Sequence, residues 1–281
     1  FDALVGYSYQ YGVYEGFNAS NYNFPSDMFQ YNNMGLGTAI KDGKAGIGSY
    51  KNDETLIGFF GRVSYGYDNK YNVLVSVRRE GSSKFGENNK WGTFPSVSLG
   101  WTISNEEFMK DIVWLNNLKL RAGYGKTGVI PGSSYQSLTR YSYNAGYFYD
   151  NGVWNQGLGV ASNPNPDLKW ETSTEFNVGL DWSVLEDRLG GSIDVYRKNT
   201  SDMLWWYDVP TPPNLYSQTL MDVGKMRNQG IEIAINAIPV QTKDFQWKTV
   251  LTASHNQNKL VSLSNELYET ANEHDLAYLG E

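Results

Sequence analysis

The feature that most constrains this chain is a period-two alternation of apolar and polar residues that recurs along most of its length. From 57 to 67 the odd positions are Ile57, Phe59, Gly61, Val63, Tyr65 and Tyr67, and the even ones are Gly58, Phe60, Arg62, Ser64 and Gly66. Successive side chains of a strand point to opposite faces, so such a run predicts a strand with one apolar face. After a turn at Asp68, Asn69 and Lys70, the residues Tyr71, Val73, Val75 and Val77 oppose Asn72, Ser76 and Arg78, which completes a hairpin. Similar stretches lie at 3–9, 97–103, 118–125, 176–184, 189–198, 231–237 and 245–252, giving nine predicted strands. With 29 Gly and 21 Tyr, composition also favours strands and turns over long helices.

The connections alternate in length. Residues 13–56, 81–94, 126–170 and 202–228 form long connections, 104–117 a middling one, and 68–70, 186–188 and 241–244 short ones. A soluble sandwich gives no reason for this, whereas an outer-membrane barrel has tight turns at its periplasmic end and long loops outside. Charged residues on the polar faces, among them Arg62, Arg78, Arg121, Glu175, Asp181, Asp194 and Glu232, suit a wet or plugged lumen and not a dry core. Aromatics at strand ends, such as Tyr65, Tyr67, Tyr71, Trp101, Trp182, Phe245 and Trp247, suit interfacial girdles. The longest apolar runs, such as 112–115, are far too short for a membrane-crossing helix, which needs about 20 residues, while a barrel strand needs about 9–11.

Single-chain bacterial barrels have an even number of strands, so nine predict a part of a larger barrel. Phe1 is not an initiator methionine and alternation is already running there, so the chain is expected to be a segment of a longer one. Residues 264–281, without alternation, are expected to be a loop.

The absence of cysteine excludes disulfide, thiol and iron–sulfur chemistry, and a net charge of −7 with no Lys/Arg run argues against nucleic acid as a partner. The two histidines, His255 and His274, have no serine or aspartate partner at recognisable spacing, so no catalytic constellation is expected.

Five motifs then carry a family resemblance: GRVSYGYDNKYNVLVSVRREGSSKFG (61–86), WGTFPSVSLGWTISNEEF (91–108), LKLRAGYGKTG (118–128), NPNPDLKWETSTEFNVGLDWSVLEDRLGGSIDVYRKNTSDML (163–204) and VGKMRNQGIEI (223–233). In this order they resemble the SusC/RagA branch of TonB-dependent outer-membrane transporters, over roughly residues 1–263. The resemblance implies an all-β fold, here a nine-strand central part of a 22-stranded barrel whose plug domain, TonB-contacting segment and last strands lie outside this chain. It further implies localisation in the outer membrane and import of an oligosaccharide or oligopeptide with TonB energy. The implied partners are a SusD-like surface lipoprotein acting as lid, TonB through the missing N-terminal part, lipid or lipopolysaccharide, and a dimer of the transporter–lid pair. Glu80, Lys84, Val129 and Asp222 depart from the family's usual Asp, Arg, Asn and Asn. A passive porin and a soluble carbohydrate-binding β-sandwich stand as alternatives.

Two aromatic-rich loops are the expected seats of ligand or lid contact: Tyr147, Phe148, Tyr149 and Trp154 in one, with Tyr141 and Tyr143 nearby, and Trp205, Trp206 and Tyr207 in the other. Flat rings can stack on sugars or grip peptide side chains, and they can equally pack the loops together. Residues 164–170 read as a rigid turn, because Pro164 and Pro166 fix φ. No cofactor is expected; a calcium ion held by Asn163, Asn165 and Asp167 in an extracellular loop is the alternative, and it would need six to eight oxygens. Arg79, Glu80, Ser82, Ser83 and Lys84 are expected to order a strand top by charge pairing. In 104–117, Phe108, Ile112 and Leu115 at helical spacing, with Ser104 as N-cap and Glu107 three residues on, predict a short periplasmic helix.

Overall fold

The computed structural model describes residues 1–263, in which eleven strands account for nearly all regular structure. They are β1 (Asp2–Ser20), β2 (Gly46–Tyr67), β3 (Tyr71–Ser82), β4 (Trp91–Thr102), β5 (Leu115–Val129), β6 (Arg140–Asp150), β7 (Val153–Ser162), β8 (Glu171–Val184), β9 (Leu189–Asp208), β10 (Gln218–Gln241) and β11 (Gln246–Ser262). Nine form one sheet in the order β1-β2-β3-β4-β5-β8-β9-β10-β11, and β6 with β7 make a separate two-stranded sheet. The nine are the nine stretches of alternation, in chain order. A sandwich requires a second sheet packed on the first, and that alternative is overturned because the apolar face of the nine-stranded sheet lies open among the described residues.

That face carries Val77, Leu99, Phe176, Val195 and Leu251, which are about half exposed in the chain itself. Register keeps the pattern aligned across strands: Val97 opposes Val75 and Tyr124, Leu180 opposes Leu120 and Ile193, and Ile231 opposes Val195. Lipid solvates such a surface in place of a protein core. At its short-turn end, Tyr71 and Trp101 face each other across β3 and β4 with ring centroids 6.5 Å apart, a pair of girdle rings.

Two compact units divide the chain, one of residues 10–55 and one of 1–9 with 56 onward. Within the smaller, Tyr14 donates to Glu54 at 3.2 Å, Lys51 pairs with Glu15 at 3.2 Å, and the Asn21 amide donates to the carbonyls of Met34 and Gly37, both at 2.8 Å. Three single-turn 3-10 segments fill its connection.

In the larger unit the strands run well past the alternation. β10, with 24 residues, is about 80 Å long at ~3.3 Å per residue, far more than a crossing needs. The surplus stands above the membrane and shortens the predicted loop: the connection expected over 202–228 shrinks to 209–217. Out there both faces are wet, so alternation fades while the backbone ladder continues. In the smaller unit the connection expected over 13–56 shrinks to 21–45.

The predicted periplasmic helix is corrected to two 3-10 turns, Ile103–Asn105 and Glu107–Met109. Glu106 between them is extended (φ −77°, ψ 151°), because its carboxylate reaches sideways to accept from the Tyr71 hydroxyl, the Trp101 indole N–H at 3.0 Å and the Lys70 ammonium at 3.3 Å. Neither turn has a side-chain cap, and Phe108 is 67 % exposed. Residues 264–281, expected as a loop, and His274 lie outside the described residues. His255 lies inside β11, opposite Ile231, and not at a strand end.

Candidate functional site

The long-loop end holds the larger unit's one compact core among the described residues. Phe85, Phe94, Leu168, Trp170 and Leu220 are nearly fully buried, with Leu56, Ile130 and Leu204 against them. Trp170 meets Phe85 at 4.5 Å and Phe94 edge-on at 5.2 Å between centroids, and its indole N–H donates to the Lys90 carbonyl. Gly86 lies so close to the 164–170 turn that a Cβ there would stand 2.0 Å from the Pro166 carbonyl oxygen, so no larger residue fits.

The rigid turn is held by side-chain amides. Asn163 accepts from the Leu215 and Tyr216 N–H groups at 3.0 and 2.9 Å and donates to the Tyr216 carbonyl at 2.6 Å and to the Thr219 hydroxyl at 2.8 Å. Asn165 accepts from Asp167 N–H and donates to the Leu220 carbonyl at 2.8 Å; Asp167 accepts from the Asn88 amide at 2.7 Å. The Asn163 and Asn165 side-chain oxygens and Asp167 Oδ1 thus each accept from an N–H donor. This turn ties β7 and β8 to the 209–217 loop and the 81–90 strand top.

At that strand top, Arg78 pairs with Glu80 at 2.5 Å, the Ser82 hydroxyl accepts from Lys84 N–H, and buried Lys84 donates to the Gly132 carbonyl at 3.2 Å. The Arg78–Glu80 ion pair lies within β3, and the Lys84 ammonium ties the loop to a backbone carbonyl. Arg79 instead lies over the Trp91 ring, 5.7 Å from its centroid.

The aromatic candidates sit on strands and not in loops, which corrects the expectation. Tyr147, Phe148 and Tyr149 lie on β6 and Trp154 on β7, where Tyr149 and Trp154 are cross-strand partners with centroids 5.3 Å apart. Trp205, Trp206 and Tyr207 end β9, paired with Met221, Leu220 and Thr219 of β10. The rings remain available: Tyr147, Tyr149 and Trp154 are over 60 % exposed, and Trp205 and Trp206 about half. Residues 126–170 hide a hairpin that the alternation does not reveal. Its signal was Asn151-Gly152, both at positive φ (48° and 85°), which is the preferred two-residue hairpin turn.

The lumen face supplies a second surface. Arg121 donates to both oxygens of Asp181 at 2.7 and 2.9 Å and to Asp194 at 3.0 Å. Gly179 lies between these partners in register, and a Cβ there would meet Asp194 Oδ1 at 2.3 Å and Arg121 Nη2 at 2.6 Å. Beside this cluster runs a shallow trough of about 300 Å³ floored by Ser96, Ser98, Gly123, Gly125, Ser173 and Asn177. Small side chains let another protein surface approach the wall closely. Sequence reasoning singled out the charges here and missed the trough, which only strand register assembles.

On the periplasmic side, the Tyr71 hydroxyl, with the Trp101 N–H, holds the Glu106 carboxyl below the usual range, and Glu106 in turn raises the Lys70 ammonium.

Comparison with known proteins fits this architecture. The family model described as TonB dependent receptor-like, beta-barrel matches residues 1–273. The chain is 37 % identical over 268 residues to a TonB-dependent receptor of Formosa agariphila, covering 94 % of this chain and 24 % of that protein. It is 38 % identical over 220 residues to the TonB-dependent receptor SusC of Bacteroides thetaiotaomicron, covering 77 % and 22 % respectively. It superposes on the RagAB peptide importer in its closed-closed state with a TM-score of 0.76 at 28 % identity, over 96 % of this chain and 29 % of that one. The chain thus spans about a quarter of the length of the curated relatives it matches. With one lipid-ready face, one wet face, tight turns at one end and a packed cap at the other, the chain belongs to the TonB-dependent receptor β-barrel family, in its SusC/RagA branch, and is part of an outer-membrane protein.

Proposed function

We propose that this chain is the wall of an active importer that takes up an oligopeptide or oligosaccharide with TonB energy, the lumen trough receiving a plug domain and the rings at the cap meeting substrate or a SusD-like lid lipoprotein. The observation that carries the reading is the pairing of two unlike surfaces: a trough of small residues beside Arg121 on the main sheet, and exposed rings on the β6–β7 hairpin and the end of β9. The likeness to a solved peptide importer supports the oligopeptide, and the oligosaccharide rests on the family resemblance. TonB would engage the plug, through the part of the protein that precedes this segment. No residue here performs chemistry on the substrate, and no cofactor enters the scheme.

The test uses the full-length protein with its co-purified lipoprotein. Labelled mixed oligopeptides and a malto-oligosaccharide series are offered as probes, and energised uptake is measured in cells with and without a proton-motive force. Uptake of one class that stops on de-energising, and that falls several-fold in W154A and in W205A/W206A with barrel folding intact, is the expected result. Steady conductance of the full-length protein in planar bilayers, independent of energy, would establish the porin instead.

A further inference from the structure

We propose that the outward face of β5 and β8–β11, at the top of the apolar band, is a binding site for a phosphorylated, acylated glycolipid of the outer leaflet. Strand register puts Lys126, Thr174, Asn199, Arg227 and Lys259 in one continuous cross-strand row, and Phe176, Arg197, Gln229 and Gln257 in the row just below. One row further down are Val178, Val195, Ile231 and His255. All share the face of Leu180, Ile193 and Ile233, since same-face residues recur every second position.

Four cations thus crowd the two upper rows without a carboxylate among their neighbours there. None of the four is ion-paired among the described residues, in contrast to Arg121, Arg78 and Lys169. Arg227 is oriented by donating to Asn199 Oδ1 at 3.2 Å. The row spans four strand spacings, about 19 Å at ~4.8 Å each, which suits a headgroup with more than one phosphate.

Height fits as well. Thr174 lies ten residues above Val184 at the tight turn, about 34 Å along the strand and roughly 26 Å along the membrane normal at a tilt of ~40°, which matches an apolar band of about 25 Å. Immediately beneath the cations, Phe176, Val178, Val195, Ile231 and His255 line an open groove of about 450 Å³ that Arg197 also borders. An apolar groove at acyl-chain depth beneath unpaired cations at headgroup depth is complementary to one amphiphile, with fatty chains below and phosphates above. A second copy of this chain would bring like charges together.

Binding of diphosphoryl lipid A to the purified full-length protein in neutral detergent, followed by native mass spectrometry, tests the site. The comparison lipids carry the same acyl chains with one phosphate or none. Diphosphoryl lipid A is expected to bind at least tenfold more tightly than the dephosphorylated form and to weaken as salt rises. K126Q/R197Q/R227Q/K259Q should lose at least tenfold, and K248Q, on the lumen face of β11, should lose none; heat-modified gel mobility reports folding. Should the quadruple variant not fold, the phosphate series and salt dependence on the natural protein decide the matter. Equal binding of charged and uncharged lipid, unchanged binding by the folded quadruple variant, or full displacement by millimolar inorganic phosphate overturns the proposal. Dissociation of an oligomer in the variant with lipid binding intact would make the belt a protein interface and would also overturn it.

Discussion

The cap, built from strand connections packed on strand ends, and the wall, built from the strands themselves, hide their apolar residues in different ways. In the cap, Leu168 and Phe85 are almost wholly enclosed by protein, whereas in the wall Val195 and Leu251 are more than half exposed and meet lipid. A protein-enclosed side chain leaves a cavity when truncated, because the surroundings relax only in part; a lipid-facing one does not, because acyl chains close the gap. The cap should therefore behave like the core of a small globular domain, and the wall like a ladder dissolved in hydrocarbon.

The largest effect that separates them is truncation. Trp170→Ala or Leu168→Ala should destabilise the cap by about 3–5 kcal/mol, and Val195→Ala should cost about 1–2 kcal/mol from lost methyl burial alone. Thermal unfolding of the full-length protein, read together with protease cleavage in 209–217, measures both. Equal losses at the two sites would sink the distinction.

Next comes Asn163, the polar counterpart of that core. Asn163→Leu removes the acceptor of two backbone N–H groups and the donor to Tyr216 and Thr219. Orphaned buried groups cost about 1–3 kcal/mol each, so a loss of roughly 3 kcal/mol is expected, with cleavage at Leu215 and Tyr216 appearing before global unfolding. Asn163→Asp keeps the acceptor and should fall between. If calcium held this turn, a chelator would reproduce the Leu variant in the natural protein; no such effect is expected, since the Asn163 and Asn165 oxygens already accept N–H groups.

In the wall the corresponding polar test is Arg121. Arg121→Met leaves Asp181 and Asp194 beside each other on the adjacent strands β8 and β9, and the expected loss is about 1–3 kcal/mol, reduced by the half-open setting. Adding Asp181→Asn and Asp194→Asn should restore most of it. Full additivity of the three changes would show that the cluster is not a unit.

How much of this was legible follows from where water lies. Nine strands could be read, in order and with the right face inward, because lipid outside and water inside force alternation on 57–67, 176–184 and their neighbours. The outer parts of β9 and β10 were not legible, since above the membrane both faces are wet and only backbone hydrogen bonds continue the strand. The β6–β7 hairpin was missed although Asn151-Gly152 marks its turn, because the runs beside it are aromatic on both faces. The 104–117 segment misled by spacing alone: Phe108, Ile112 and Leu115 fit a helix, but Glu106 is fastened to Tyr71, Trp101 and Lys70 in an extended conformation. The aromatic candidates were found as residues and misplaced as loops. Family resemblance supplied the transport reading, which no spacing of charges or rings contains.

Asp222 gives a smaller effect and places the cap against the wall in pH. It lies in the part of β10 above the membrane, accepts from Lys169 N–H, and burial raises its carboxyl to about 7. A carboxyl raised in the folded state above an unfolded value near 3.8 stabilises fully below about pH 4, and that contribution is lost as pH climbs to about 7. Asp222→Asn keeps the acceptor, removes the charge, and should raise the cap's unfolding temperature at pH 7 and above while leaving pH 4 unchanged, by about 1 kcal/mol after allowance for partial exposure. The resemblance places Asn at this position in the family, in keeping with that direction.

The smallest effect lies at the opposite rim, and its pH sign is reversed. Glu106 is held below the usual carboxylate range by Tyr71 and Trp101, so its contribution is complete above about pH 4.5 and is lost as pH falls through the lower folded value. Glu106→Gln can still accept from the two aromatic donors but cannot attract Lys70. It should therefore lower barrel unfolding slightly at pH 7, with the difference fading as acid protonates Glu106 below the usual carboxylate range, and speed proteolysis within 103–114 only where Glu106 is ionised in the natural protein. The two carboxyl groups thus divide the molecule by pH: acid strengthens the cap through Asp222 and loosens the lower rim through Glu106. A scan of local proteolysis from about pH 2 to 8, followed separately at 209–217 and at 103–114, should show the cap loosening as pH rises toward 7 and the lower rim loosening as pH falls below about 4.5. Parallel movement would mean that cap and wall open as one unit, and the distinction between a globular cap and a lipid-solvated wall would fall with it.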